Sequence, residues 1–323
     1  MTMRAAVCVR AGGPEVLEVH EVPVPAVREG WSLVRVRGAG LNRSELRTRQ
    51  GHSPSVTFPR VLGIECVGSV AVSTDPSLPE GSTVAAVMGG MGREFDGGYA
   101  EYALLPNALL MPVTTTLAWD VLAALPETYL TAQGALDALG PVAGRLLIRG
   151  GTSSVGMTMA VLAKQRGMTV FATTRAATKG DALRAIGVDE VLIDDGSLAE
   201  RVRALRPGGV DRTLDLIGAP TLLDSLDATR VHGVVCNSGA LSNDWALKDF
   251  YPTGDIPSGV FLTGYGGDAS DLPQPVLQAF LDDVAAGVAT MPIARTYALE
   301  QIVEAHADME HNRVAGKLVV DLT

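Results

Sequence analysis

Cysteine is scarce in this chain of 323 residues: Cys8, Cys66 and Cys236 stand far apart. An odd count without a Cys-x-x-Cys pair excludes a disulfide scaffold and fits reduced thiols in a cytoplasm. Histidine is sparse as well, at five residues (His20, His52, His232, His306, His311), which read mostly as surface positions. A catalytic zinc needs three side-chain ligands and an open position, and these scattered residues do not supply that pattern. A basic excess is missing too. Lys plus Arg is 26 against 36 Asp plus Glu, a net charge of −10. Phosphate-backbone binding needs a basic footprint, so a nucleic-acid partner is not expected; one anionic small molecule in a local basic pocket is not excluded. Charge or turn residues break every apolar run well short of the ~20 residues a membrane-spanning helix needs. Met1 to Arg10 reads as a strand rather than a signal-peptide core.

Apolar residues make up 47% and charged residues 19%, enough for a sizeable core. At about 150 residues per domain, two domains are expected. The first 115 residues alternate apolar and polar over short stretches, Val16 to Val22 and Leu33 to Arg37 among them, with Pro and Gly between. This predicts a β-rich unit. From about Leu117 the pattern changes to strand alternating with helix: Leu146–Arg149, Val170–Thr173, Val191–Ile193, Arg212–Leu216 and Val231–Asn237 are the strands. That alternation predicts βαβ units and a parallel sheet. Helices are expected at Pro273 to Ala286 and Leu299 to His311, and a strand at Lys317–Leu322.

The sharpest motif is Leu146-Leu147-Ile148-Arg149-Gly150-Gly151-Thr152-Ser153-Ser154-Val155-Gly156, an apolar strand entering a Gly/Ser turn and then a helix. Aligned on Gly-x-Gly-x-x-Gly, its key positions are Gly151, Ser153 and Gly156. The first residue of such a motif permits the tight turn, the second lets backbone approach a pyrophosphate, and the third lets helix pack on strand. The pyrophosphate would sit at the helix N-terminus among Gly151 to Gly156, where N–H groups and the dipole favour anions. About 20 residues on, an acid would grip the ribose 2′-OH of NAD. Here the sequence is Thr173-Thr174-Arg175, with Lys179 beyond. Arg175 can pair with a 2′-phosphate through two hydrogen bonds and Lys179 adds a point charge, so NADPH is the expected cofactor. Asn237, Ser238 and Gly239 follow the fifth sheet strand, and the carboxyl ends of strands face the ligand crevice in such sheets.

Further segments carry a resemblance that runs nearly end to end. They are Gly12-Gly13-Pro14-Glu15-Val16-Leu17, Gly40-Leu41-Asn42-Arg43-Ser44-Glu45, Phe58-Pro59-Arg60-Val61-Leu62-Gly63-Ile64-Glu65, Gly97-Gly98-Tyr99-Ala100-Glu101-Tyr102, Leu125-Pro126 with Leu130-Thr131-Ala132, and Ala315-Gly316-Lys317. With the glycine turn, they resemble the zinc-independent quinone oxidoreductase (zeta-crystallin-like) branch of the medium-chain dehydrogenase/reductase superfamily. The resemblance implies an α/β protein with a GroES-like β-rich catalytic domain at residues 1–116, completed by 263–323, and a Rossmann doubly wound parallel-sheet domain at 117–262. It implies a homodimer that passes hydride from NADPH to a small-molecule quinone or enone. Zinc-dependent members carry a Cys in the segment that holds Asn42 here, and Gly-His-Glu where this chain reads Gly63-Ile64-Glu65.

The resemblance also implies site residues. Asn42 would lie near the nicotinamide and donate to the acceptor oxygen as charge builds there. Thr131 and Lys317 would lie on the cofactor, and Phe261 and Thr263 would hold its carboxamide through backbone groups. Where family members often carry tyrosines after the Asn, this chain has Arg47 and Ser53, with His52 as a candidate proton donor. Tyr129 stands where the family commonly has a small residue and is expected to line the pocket. Glu65 reads as a buried structural carboxylate. Reduction of an enoyl thioester and a non-catalytic NADPH-binding role are the alternatives.

Overall fold

A computed structural model describes residues 1–54, 56–141 and 143–323. The chain forms two compact units, one of Met1–Glu127 with Asp268–Thr323 and one of Thr128–Gly267. Among the described residues no helix is long and apolar enough to cross a membrane.

In chain order the elements up to the second unit are β1 (Thr2–Cys8), β2 (Leu17–Pro23), β3 (Trp31–Gly40), α1 (Arg43–Arg49), β4 (Arg60–Val61), β5 (Glu65–Ser73), β6 (Thr83–Val87), β7 (Tyr102–Pro106), β8 (Met111–Pro112), α2 (Trp119–Ala123) and α3 (Pro126–Ala138). The second unit continues with β9 (Arg145–Arg149), α4 (Ser154–Gln165), β10 (Thr169–Thr174), α5 (Gly180–Ala185), β11 (Glu190–Ile193), α6 (Leu198–Leu205), β12 (Val210–Asp215), α7 (Ala219–Ala228), β13 (Thr229–Asn237), α8 (Pro252–Asp255) and β14 (Phe261–Gly264). The chain then returns to the first unit with α9 (Gln274–Ala285), β15 (Ile293–Ala298), α10 (Ile302–Glu310) and β16 (Lys317–Asp321).

The first unit holds a three-stranded sheet, β2-β1-β4, and a seven-stranded one in the order β15-β16-β3-β5-β6-β8, with β7 also pairing β3. Its apolar core includes Val34, Val36, Leu62, Tyr99, Leu105 and Val320. The C-terminal segment adds β16 antiparallel to β3, and β15 parallel to β16. α2 packs on β3, β5 and β16. Residues 117–127 therefore belong to this unit and not, as the sequence suggested, to the next. At the other boundary β14 extends to Gly264 as a sheet strand, which carries the second unit past residue 262.

The second unit is a six-stranded parallel sheet, β11-β10-β9-β12-β13-β14. Numbered from β9, this is the order 3-2-1-4-5-6 of a Rossmann fold. β9 reads Arg-Leu-Leu-Ile-Arg, and its residues from Leu146 on are buried, as expected of a central parallel strand covered on both faces.

Candidate functional site

The chain leaves β9 through Gly150, whose φ of +85° lies in the left-handed region that favours glycine. Next to it β10 passes close by: a Cβ on Gly151 would stand 2.8 Å from Ala172 Cβ and 3.0 Å from the Thr173 nitrogen. A Cβ on Gly156 would stand 2.6 Å from the Gly150 carbonyl oxygen, so the first turn of α4 can seat on the loop only with glycine there. Ser153, at the middle position of the motif, is the N-cap of α4. Its hydroxyl accepts the Gly156 N–H at 3.1 Å and donates to the Gly150 oxygen at 2.8 Å. The serine thus fixes the turn by capping the helix. Thr152, Ser154 and Val155 are half-buried around it. The first N–H groups of a helix lack intrahelical partners, and its dipole favours an anion there. This cradle fits a pyrophosphate.

At the end of β10 the Thr174 hydroxyl accepts the Ala176 N–H at 3.2 Å and donates to the Ala176 oxygen at 3.1 Å, turning the chain. Arg175 is exposed and Lys179 half-buried. Burial lowers the pKa of the Lys179 ammonium, and the nearby Arg175 charge lowers it further. Two cations therefore lie side by side after β10, where an NAD site would carry an acid.

Register places Arg149, Asp215, Asn237 and Gly264 on one rim of the sheet, at its carboxyl end. The Asn237 side-chain amide donates to the Asp215 and Gly239 oxygens at 3.2 and 3.3 Å, which ties the ends of β12 and β13 together. Ser238 and Gly239 follow, half-buried. Thr263 pairs with Cys236, one residue below the rim. Phe261, expected to reach the cofactor through backbone groups, lies lower on the same strand. It pairs with Val234, three residues below Gly264, which is about 10 Å at strand rise, and it is 57% exposed. On α3, Tyr129 is buried and Thr131 half-buried.

In the first unit the expected site residues meet a buried charge network. Asn42 is the N-cap of α1, and its backbone N–H donates to Glu45 at 3.0 Å. Its side-chain amide donates to Glu65 at 2.9 Å and Glu45 at 3.3 Å, and its Oδ1 accepts from Lys317 Nζ at 2.5 Å. Lys317 Nζ also meets Glu65 Oε1 at 2.7 Å and Glu127 at 3.8 Å, with both the Lys317 and Glu65 side chains fully buried. The Asn42 donors face carboxylates, so in this structure the residue is part of a buried charge network. Lys317 is enclosed in the same network, because a buried ammonium needs its counter-charges close. Glu65 is the buried structural carboxylate expected, and it also accepts the Glu127 N–H at 2.8 Å. Burial pushes the Glu45 carboxyl up to about 7, against the opposing pull of the Ile64 N–H and the Lys317 charge. His52 is exposed on the turn after α1, its backbone N–H on the Arg47 oxygen at 2.9 Å. His306, read as a surface position, is instead fully buried beside Arg49.

Residues 28–115 match the family described as Alcohol dehydrogenase GroES-like domain, and residues 186–320 the family described as Zinc-binding dehydrogenase. The quinone oxidoreductase of Sus scrofa is 25% identical over 321 residues, covering 96% of this chain and 94% of that protein. The structure of mycobacterial Rv1454c complexed with NADPH matches at TM-score 0.86 and 27% identity over 99% of each chain. This chain belongs to the medium-chain dehydrogenase/reductase superfamily. A structure described as an NAD-dependent alcohol dehydrogenase matches at TM-score 0.87 and 29% identity, again over 99% of each chain.

As a superfamily member the chain is an oxidoreductase, and the family's cofactor is a nicotinamide dinucleotide. Among the described residues no group of three or more His, Cys, Asp or Glu side chains is arranged to hold a metal. The sequence reading missed the carboxyl-end network of Arg149, Asp194, Asp215 and Asp224. One signal was available: an arginine closing an otherwise apolar buried strand must have buried partners.

Proposed function

We propose that this oxidoreductase uses NADPH to reduce quinones or α,β-unsaturated carbonyl compounds and that it works without zinc. The observation that carries the cofactor reading is the Arg175–Lys179 pair after β10, on the same sheet end as the glycine turn. Arg175 presents a planar fork to a 2′-phosphate and Lys179 a point charge. The α4 N-terminus with Gly151, Thr152, Ser153, Ser154, Val155 and Gly156 would hold the pyrophosphate. Thr131, Thr174, Asn237, Ser238, Gly239 and Thr263 are the further residues assigned to the cofactor. The bound dinucleotide supplies the reducing hydride. His52 is assigned as proton donor and Tyr129 as a pocket wall. The reading includes a homodimer, supported by the position of β14 at a sheet edge with Phe261 exposed on it.

NADPH is expected to exceed NADH in kcat/KM. Arg175→Ala should lose about 1.5–3 kcal/mol of NADPH binding, the worth of a hydrogen bond to a charged group, with NADH little changed. Equal use of both cofactors by the unmutated chain would overturn the reading. The acceptor is read from turnover of simple quinones, enones and enoyl-CoA under NADPH.

Metal independence is motivated by Ile64 and Asn42, which stand where zinc-dependent relatives carry ligands. Turnover should survive exhaustive chelation, with no stoichiometric zinc by elemental analysis. Activity lost to EDTA and restored by zinc would refute it.

A further inference from the structure

We propose that Arg149 is a positioning residue that sets the preference for a phosphorylated ribose, by turning the Asp194 carboxylate inward and neutralising it. The proposal rests on the dinucleotide reading above. Arg149 ends β9 and its side chain is fully buried. Its fork takes Asp194 through two hydrogen bonds, Nε to Oδ2 at 2.8 Å and Nη2 to Oδ1 at 2.9 Å. Its remaining nitrogen, Nη1, reaches Asp224 at 2.6 Å and the Thr221 oxygen at 3.0 Å.

Asp194 stands beside the end of β10, next to the segment that carries the two cations. It follows β11, and its backbone N–H donates to the Thr174 oxygen at 3.0 Å, directly before Arg175. A carboxylate there would oppose a 2′-phosphate by like charge. Held by the Arg149 fork, it is instead almost wholly buried, with its side chain 8% exposed. Burial disfavours its charge, yet the Arg149 hydrogen bonds and charge outweigh that and keep it ionised as half of a pair. The Thr173 hydroxyl also donates to Asp194, and it accepts the Gly150 N–H at 3.0 Å. The clamp therefore also touches the first residue of the glycine turn. A brace of this kind that served only the fold would support both dinucleotides alike. One that governs local charge must act on the ratio between them.

The test is calorimetric titration of the full chain with NADPH and with NADH, which needs no turnover. Arg149→Met uncovers the Asp194 charge. It should lower the Kd ratio of NADH to NADPH at least tenfold, mainly by weakening NADPH. Asp194→Asn alone removes a negative charge and leaves Arg149 paired with Asp224, so it should leave the ratio unchanged or raise it. Arg149→Met/Asp194→Asn should restore the ratio to within threefold of the unmutated chain. Asp224, one-quarter exposed and also held by the Leu198 and Ala199 N–H groups, can be solvated once Arg149 is gone. If Arg149→Met does not fold, the double variant decides: a ratio within threefold supports the clamp, and a lost preference overturns it. Parallel weakening of both dinucleotides in Arg149→Met, or no rescue by the second substitution, overturns it as well. The unmutated chain separates the two readings. No preference for NADPH there defeats the cofactor reading and the clamp with it, whereas a preference that Arg149→Met leaves intact defeats the clamp alone.

Discussion

Lys317→Met is expected to lower stability by about 3–5 kcal/mol, the usual cost of removing one partner from a buried ion pair. The Lys317 and Glu65 side chains are both fully buried, 2.7 Å apart. Without the ammonium, Glu65 keeps only the Asn42 amide at 2.9 Å and the Glu127 N–H at 2.8 Å as donors. Those are neutral groups facing a charge that water cannot reach. The packing offers no relief, since a Cβ at Gly40 would already run into Glu65 Oε1 and Lys317 Cε. Glu65→Gln should cost a comparable amount, because it leaves the ammonium short of counter-charge. Lys317→Met combined with Glu65→Gln should cost clearly less than the two losses added, since no charge of the pair is then left alone. Urea unfolding of the four proteins measures this. A loss under about 1 kcal/mol for Lys317→Met would show that the pair contributes little. Lys317→Met that remains folded should bind NADPH as the unmutated chain does. A selective loss of NADPH affinity would return Lys317 to the cofactor.

Most of the parallel sheet was legible because each of its strands is a short apolar run with its own period. The glycine turn was legible because strand, glycine and helix cap follow one another within eleven residues of sequence. Ser153 looked like a departure from the motif, yet a hydroxyl at an N-cap is what the turn uses. Other features depend on partners distant in sequence. β15 pairs with β16 across the intervening α10, and Ile293 to Ala298 has no strong alternation of its own. The edge of the second unit was misplaced because α2 is a short helix whose allegiance is set by the strands it packs on. The charge networks were the least legible. Lys317 and Glu65 stand 252 positions apart, and nothing local distinguishes a lysine that closes a buried pair from one at a surface. Asn42 shows the same limit, since the resemblance gave its place and the structure gave its neighbours.

Stability should change little between about pH 4.5 and 6.5 on account of two buried groups whose titrations oppose each other. Burial first, and then the Arg49 charge, pushes the His306 imidazole down to about 3 from 6.5. Arg49 Nη1 lies 3.4 Å from His306 Nδ1, and the Tyr99 ring stands edge-on to it. A depressed folded value means that the unfolded chain binds the extra proton, so this contribution is present above pH 6.5 and is lost as pH falls toward 3. Glu45 has the opposite sign. Its value is raised from 4.5 to about 7, so its contribution is present below 4.5 and is lost as pH rises through 7. Each group contributes a slope of about 1.4 kcal/mol per pH unit where it is active, and between pH 4.5 and 6.5 the two cancel. Removing either one uncovers the other. Relative to the unmutated chain, His306→Gln should lose stability as pH rises from 4.5 to 6.5, by about 3 kcal/mol over the interval. Glu45→Gln should lose a similar amount as pH falls through the same interval. Urea unfolding at pH 4.5, 5.5 and 6.5 reads the differences directly, and subtracting the unmutated curve removes the titration of every other group. If both variants run parallel to the unmutated chain across this range, neither group is held away from its ordinary value. If only one diverges, the cancellation fails, and the burial of the other group does not perturb its proton.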